Sequence, residues 1–171
     1  MSGNRLVNIW EIQHYLSFDD EDTWVRVTED TTADTSRERD TYETAYKDRN
    51  VQTTYSLGRT DTFSFVVDAL APGAIQKQFA AHEDEDNVPV TYMRTMAYDF
   101  AAQADAPATA RVAKKAKALL NCEPIGGDAN RPFTFSGEVR MVEDYTAGTF
   151  NESTQTFVAE NAASGGTQSG S

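Results

Sequence analysis

The sequence predicts a mainly β protein, an antiparallel β-sandwich or barrel with one flanking α-helix. Three observations carry this. Short runs of alternating apolar and polar residues recur along the chain, turn-like breaks separate them, and only one segment has clean helical spacing. The elements follow in order.

In LVNIWEIQHYL (6–16), Leu6, Trp10, Ile12 and Leu16 can share a face, although the alternation is imperfect. DTWVRVTED (22–30) is short and β-branched. TSRERDTYETAYKDRNVQ (35–52) interleaves four basic and four acidic side chains and contains no glycine or proline. As a strand it places Tyr42, Thr44 and Tyr46 on one side and Glu43, Ala45 and Lys47 on the other. RTDTFSFVVD (59–68) puts Phe63, Phe65 and Val67 on one face, opposite Thr62, Ser64 and Asp68.

APGAIQKQFAAHED (71–84) is the helix. Pro72 suits a first turn, Ile75, Phe79 and His82 recur at i, i+4 and i+7, and the acidic run beyond predicts a stop near His82. NVPVTYMRTMAYD (87–99) aligns Val88, Val90, Tyr92, Met96 and Tyr98. RVAKKAKALLNCE (111–123) fits a strand or a helix, and its propensities are helical. NRPFTFSGEVRMVED (130–144) places Phe133, Phe135, Val139 and Met141 together. ENAASGGTQSGS (160–171) reads as a flexible tail, leaving residues 1–159 as one domain.

A chain of 171 residues is long enough for a substantial core. Its net charge of -12 argues against tight nucleic-acid binding, which needs a basic surface, but allows nucleic acid to pass without sticking. The single cysteine, Cys122, forbids an internal disulfide and suggests a reducing compartment. No run approaches the roughly 20 apolar residues of a membrane span. The expectation is a soluble protein made in the cytoplasm, with no membrane partner.

Catalytic signatures are missing. Nothing in the spacing pairs Cys122 with His14 or His82, and the zinc ligand sets built from Cys and His need more of both. FDDED (18–22) and HEDEDN (82–87) lack the alternating ligands and glycine turn of a calcium loop, so a solvated or partner-facing acidic patch is expected. Gly126–Gly127 matches neither a P-loop nor a dinucleotide fingerprint; a hairpin turn accounts for it. No pair among the carboxylates is singled out for hydrolysis. The expectation is no enzyme activity, no cofactor and no metal. Charge segregation remains: acidic residues at 18–22 and 82–87, basic Arg111, Lys114, Lys115 and Lys117 elsewhere. Opposite patches on one subunit invite head-to-tail contact between copies, against the plainer reading of solubilising charge.

The order of features resembles the major tail proteins, or tail tube proteins, of long non-contractile-tailed phages, particularly the TP901-1-like group. WVRVTEDTTADTSRERDTYETAYKDRNVQTTYSLGRTDTFSFVVDAL (24–70) carries most of the resemblance. In it a Trp-led strand runs into a Thr/Ser/Asp-rich connection, a charged segment with Lys47–Asp48, a turn at Gly58 and a Phe/Ser strand. The helix, VPVTYMRTM and PIGGDANRPFTFSGEVRMV continue the likeness over roughly residues 5–158. The resemblance implies a β-sandwich with a flanking helix, assembled as stacked, hexameric rings into a tube for DNA passage. It implies a location in the virion tail, with partners in further copies of the chain and in other tail proteins such as the tape measure and the terminator.

An extended arm at residues 35–57 would bridge subunits through Arg37, Arg39, Tyr42, Tyr46, Lys47 and Arg49. Strands 59–68 and 133–142 would help line the tube. The resemblance also favours a strand over 111–123. Contractile-tail and secretion tubes share the architecture, so a tube of that kind is an alternative. A monomeric β-sandwich binding module is the runner-up from another class, and a carboxylate hydrolase stands far behind it.

Overall fold

The structure, a computed structural model, describes residues 5–45 and 53–160. A 3-10 turn at Ile9–Glu11 leads into strands β1 (Ile12–Ser17), β2 (Val25–Arg26), β3 (Asp30–Thr44) and β4 (Thr53–Asp68). Helix α1 (Ala74–Ala81) follows. The chain then runs through β5 (Val88–Met96), β6 (Tyr98–Asp99), β7 (Ala104–Asp105), β8 (Arg111–Cys122), β9 (Thr134–Met141), β10 (Thr146–Asn151) and β11 (Thr156–Ala159). The protein is mainly β with antiparallel pairing and one helix, the class expected from the alternating segments. The main sheet has the order β2-β1-β5-β8-β9-β4-β3, β10 pairs with β8 and β11 with β10, and β6 and β7 form a separate pair.

The chain forms two compact units, and one comprises Tyr15–Tyr92 and Ala116–Asp144. Its core is aromatic. Phe63, Phe65 and Val67 are fully buried, as the period-2 pattern requires, and Phe135, Val139 and Met141 of β9 join them. Phe63 stacks on Tyr92 at 5.0 Å, and Phe65 stacks on Phe79 of α1 at 4.4 Å. Burying each such side chain contributes about 1.5–3 kcal/mol.

Helix α1 buries Ile75 and Phe79, the expected i, i+4 pair, and ends with His82 as its C-cap. Pro72 falls before the helix rather than in its first turn, because Gly73 occupies the N-cap in an extended conformation. Phe133 precedes β9 and is 46% exposed, so it drops out of the predicted face. β5 departs from simple alternation. Val88, Val90 and Tyr92 are buried as expected, but so are Thr91, Met93 and Thr95. β5 lies between β1 and β8 in the sheet, and an interior strand with both faces covered has no polar side to show.

The other unit comprises the described parts of Met1–His14, Met93–Lys115 and Tyr145–Ser171. Here β10 pairs with the first half of β8, from Thr146↔Lys115 to Phe150↔Arg111, and β11 adds to β10. The second half of β8 pairs with β9, from Ala118↔Met141 to Cys122↔Gly137. Residues 111–122 are therefore a strand throughout: partners along the whole segment override its helical propensity. The shared face expected of Leu6, Trp10, Ile12 and Leu16 does not form. Residues 9–11 make a 3-10 turn of three residues per turn, which breaks the alternation and leaves Leu6 and Trp10 exposed while Leu16 is buried.

Candidate assembly surface

Strands β3 and β4 form one long antiparallel ladder, and β3 is exposed along almost its whole length. β3 pairs with β4 from Asp30↔Val67 to Thr44↔Thr53, with irregularities at Asp30/Thr32 and Asp40/Thr41. β9 supports β4 only over Thr62–Asp68. From Asp61 out to Thr53 the ladder is a two-stranded ribbon, roughly 27 Å long at about 3.3 Å per residue. A free two-stranded ribbon is marginally stable in water. This one is anchored because β4 continues into the aromatic core at Phe63, Phe65 and Val67.

The expected contact residues divide into two groups. Arg37, Arg39 and Tyr42 lie on β3; Tyr46, Lys47 and Arg49 lie outside the described residues. Tyr42 sits opposite Tyr55 and is 52% exposed, and Leu57 is 68% exposed. Arg37 is engaged within its own chain. It faces Asp61 across the ladder and donates from Nε to Oδ1 at 2.6 Å and from Nη2 to Oδ2 at 2.8 Å. The Asp61 side chain is only 9% exposed. The Arg37 hydrogen bonds hold its carboxyl below the usual carboxylate range, against the opposing effect of burial.

Arg39 lies opposite Arg59, a like-charged cross-strand pair that is unfavourable on its own. Arg59 Nη2 donates to Asp144 Oδ1 at 2.8 Å, drawing that charge toward an acid. The outer edge of β3 ends the sheet. Interleaved charges along such an edge discourage indiscriminate pairing while leaving its backbone groups open to a matched partner.

The two acidic blocks adjoin in space. Phe18 stacks on His82 with ring centroids 5.4 Å apart, which brings Asp19–Asp22 beside Glu83–Asp86. Asp19 accepts from Thr23 N–H at 2.8 Å and from Ser17 Oγ–H at 2.9 Å; these bonds, Thr23 first, hold its carboxyl low. Among the described residues no three His, Cys, Asp or Glu side chains converge as a metal site would require. The basic block is partly committed: Arg111 bonds Glu152 and the Ala106 carbonyl, and Lys115 lies over the Phe157 ring at 4.6 Å, whereas Lys114 and Lys117 are exposed. Cys122 is half-buried and burial pushes its thiol up to about 11, so at neutral pH it is not a thiolate nucleophile.

Sequence reasoning missed a cluster in the other unit. Arg5 donates to both carboxylate oxygens of Glu11, at 2.9 and 3.0 Å, also bonds Asp105, and lies over the Tyr98 ring at 5.3 Å. Asn8 N–H donates to Glu11 Oε1 at 2.9 Å, and the Glu11 carboxyl is held below its usual range by Arg5 first. Asp105 is 100 residues from Arg5, and no local pattern signals such a pairing.

No family model and no curated protein matches the chain. Solved structures do. A chain of the tail of an empty GTA particle, refined with C6 symmetry, aligns with a TM-score of 0.55 at 9% identity, covering 81% of this chain and 96% of that one. A chain of the virion of a native gene transfer agent (GTA) particle aligns at 0.54 and 9% identity, covering 89% and 98%. A chain of the anti-feeding prophage baseplate, six-fold symmetrised, aligns at 0.54 and 11% identity, covering 86% and 97%. At such identities the likeness is one of fold, and it spans nearly the whole of each matched chain.

Proposed function

We propose that this chain is the major tail tube subunit of a phage or phage-like particle, a structural protein that assembles with its own copies into stacked six-membered rings. The observation that carries the reading is the β3/β4 ribbon beyond Asp61, a long polar and aromatic element with which β9 does not pair. Such a ribbon gains stability by lying on a neighbour, where Arg39, Tyr42, Tyr46, Lys47 and Arg49 supply charge and aromatic anchors. The fold shared with chains of six-fold symmetric tails and baseplates supports the same reading.

Within this reading, residues 1–159 are the tube domain and 160–171 a tail outside it. The strands at 59–68 and 133–142 contribute to the wall of the tube. Net negative charge suits a conduit through which DNA passes without adhering. The chain catalyses no reaction and needs no cofactor. It is made in the host cytoplasm and ends in the virion tail, alongside the tape measure and terminator proteins. The long non-contractile, TP901-1-like tail is the preferred setting. The likeness to an anti-feeding prophage chain keeps a contractile or secretion-type tube as a second reading.

Size-exclusion chromatography at rising concentration with negative-stain microscopy tests the proposal. Rings or tubes of uniform diameter are expected. A strict monomer at every concentration and salt condition would favour the binding-module reading and overturn this one.

A further inference from the structure

The unit containing the N-terminal segment displays apolar side chains that its fold does not use. Leu6 is 87% exposed, Ile9 75%, Trp10 71% and Phe100 58%. At roughly 200 Å² per large side chain, these exposures leave about 600 Å² of apolar surface. Summed, that approaches the ~800 Å² that each partner buries in a stable interface.

The surface is held firmly. Arg5 grips both Glu11 oxygens, Asp105 and the Tyr98 ring, and Tyr98 meets Phe100 edge-on at 5.0 Å. The Ala97 N–H also donates to the Glu11 carbonyl at 3.1 Å. Four contacts on one short segment, with the Glu11 side chain only 5% exposed, present Trp10 from a rigid base. A preorganised indole is the kind of group that dominates binding energy, because little ordering cost remains.

The other unit of the same chain holds a counterpart. A groove of about 310 Å³ is walled by Phe18, Pro89, Leu119 and Val142, with Asp20 and Lys117 on its lining. It is at the small end of ligand cavities (~300–1,000 Å³), a size suited to a side chain.

We propose that Trp10 of one copy seats in this groove of a second copy. The inference rests on the self-assembly reading above and names a contact for it. The extent of exposed apolar surface and the fold shared with chains of six-fold symmetric particles select a second copy as the occupant. Arg5 and Asp105 are already paired with each other beside the indole-bearing segment, so the joint rests on the apolar fit of the indole between Phe18, Pro89, Leu119 and Val142. Because knob and groove are different surfaces of one chain, the contact is heterologous and repeats from copy to copy, as a growing assembly requires.

The test uses single cysteines on separate chains, in a Cys122→Ala background checked for an unchanged melting temperature. One chain carries Ile9→Cys, which keeps the Trp10 indole, and the other Val142→Cys; both positions are exposed, so folding is spared. Mixed at assembly concentration and oxidised, they should yield a disulfide-linked heterodimer at least tenfold above either chain alone. In parallel, Trp10→Ala in the full chain should raise the concentration for half-assembly by about thirtyfold with no change in melting temperature. Wild-type tubes accompanied by no heterodimer, or by unaltered assembly of Trp10→Ala, would overturn this contact and leave the tube reading intact. A wild-type chain that never assembles would overturn both.

Discussion

Replacing Arg37 by alanine tests how the arm is fastened to its unit. The substitution removes two short charge-assisted hydrogen bonds and leaves a carboxylate that is 9% exposed without its fork. A hydrogen bond to a charged group is worth about 1.5–3 kcal/mol. Because the Arg37 side chain is itself 41% exposed, solvent recovers part of that, and about 2 kcal/mol is the expected loss. Beyond this point β9 no longer pairs with β4 and the Arg59–Asp144 pair is largely exposed, so the loss should appear as local opening. Amide hydrogen exchange at the arm root is the assay, and 2 kcal/mol corresponds to roughly thirtyfold faster exchange there.

The pH dependence adds a second check. Asp61 has a lowered pKa in the folded chain, so its stabilising contribution is present above the unfolded carboxylate value of about 3.9. It is lost as pH falls through the still lower folded value. Wild-type protection should therefore hold from pH 7 to about 5 and fall below about 4, whereas Arg37→Ala should show a clearly smaller acid-induced loss, the charges of Arg59 and Arg39 remaining. Asp61→Asn should cost clearly less in the Arg37→Ala background than in the wild type. Exchange within twofold of wild type at pH 7, or equal effects of Asp61→Asn in both backgrounds, would refute the fastening role.

Two further predictions concern the core that carries the arm. Phe79→Ala removes a fully buried ring stacked on Phe65 and should destabilise by about 3–5 kcal/mol in urea unfolding; a loss under 1 kcal/mol would mean that α1 does not close this core. Gly137→Ala would place a methyl group 2.3 Å from the Asn121 carbonyl oxygen and 3.0 Å from Phe65, forcing β8 and β9 apart. A loss of about 2 kcal/mol or more is expected, and an unchanged urea midpoint would contradict the close pairing at Cys122↔Gly137.

The legible parts of this chain are those where chemistry alternates. Phe63, Phe65 and Val67 announced a one-sided strand, and Ile75 and Phe79 announced a helix face, because each element shows opposite character on opposite sides. β5 was legible only in part, since a strand covered on both faces loses that contrast at Thr91, Met93 and Thr95. The segment at 35–57 stood out by composition, but its register did not. A polar strand with both faces exposed has nothing to specify pairing, so the opposition of Arg37 to Asp61 and the irregularity at Asp40/Thr41 come only from the fold. Leu6 and Trp10 were misplaced because the period-2 reading ran across a 3-10 turn. The Arg5 cluster depends on a partner 100 residues away and left no local trace.

The role of the ribbon in assembly is most directly tested by shortening it along its own register. Replacing residues 38–60 with an Asn-Gly turn keeps the Arg37–Asp61 pair, β9's contact with β4 and the whole aromatic core. Negative-stain microscopy of this variant beside the full chain, with thermal unfolding of both, is the decisive measurement. A folded, cooperatively melting subunit that forms no rings or tubes where the full chain forms them is the predicted result. Tubes of normal diameter from the shortened chain would contradict it.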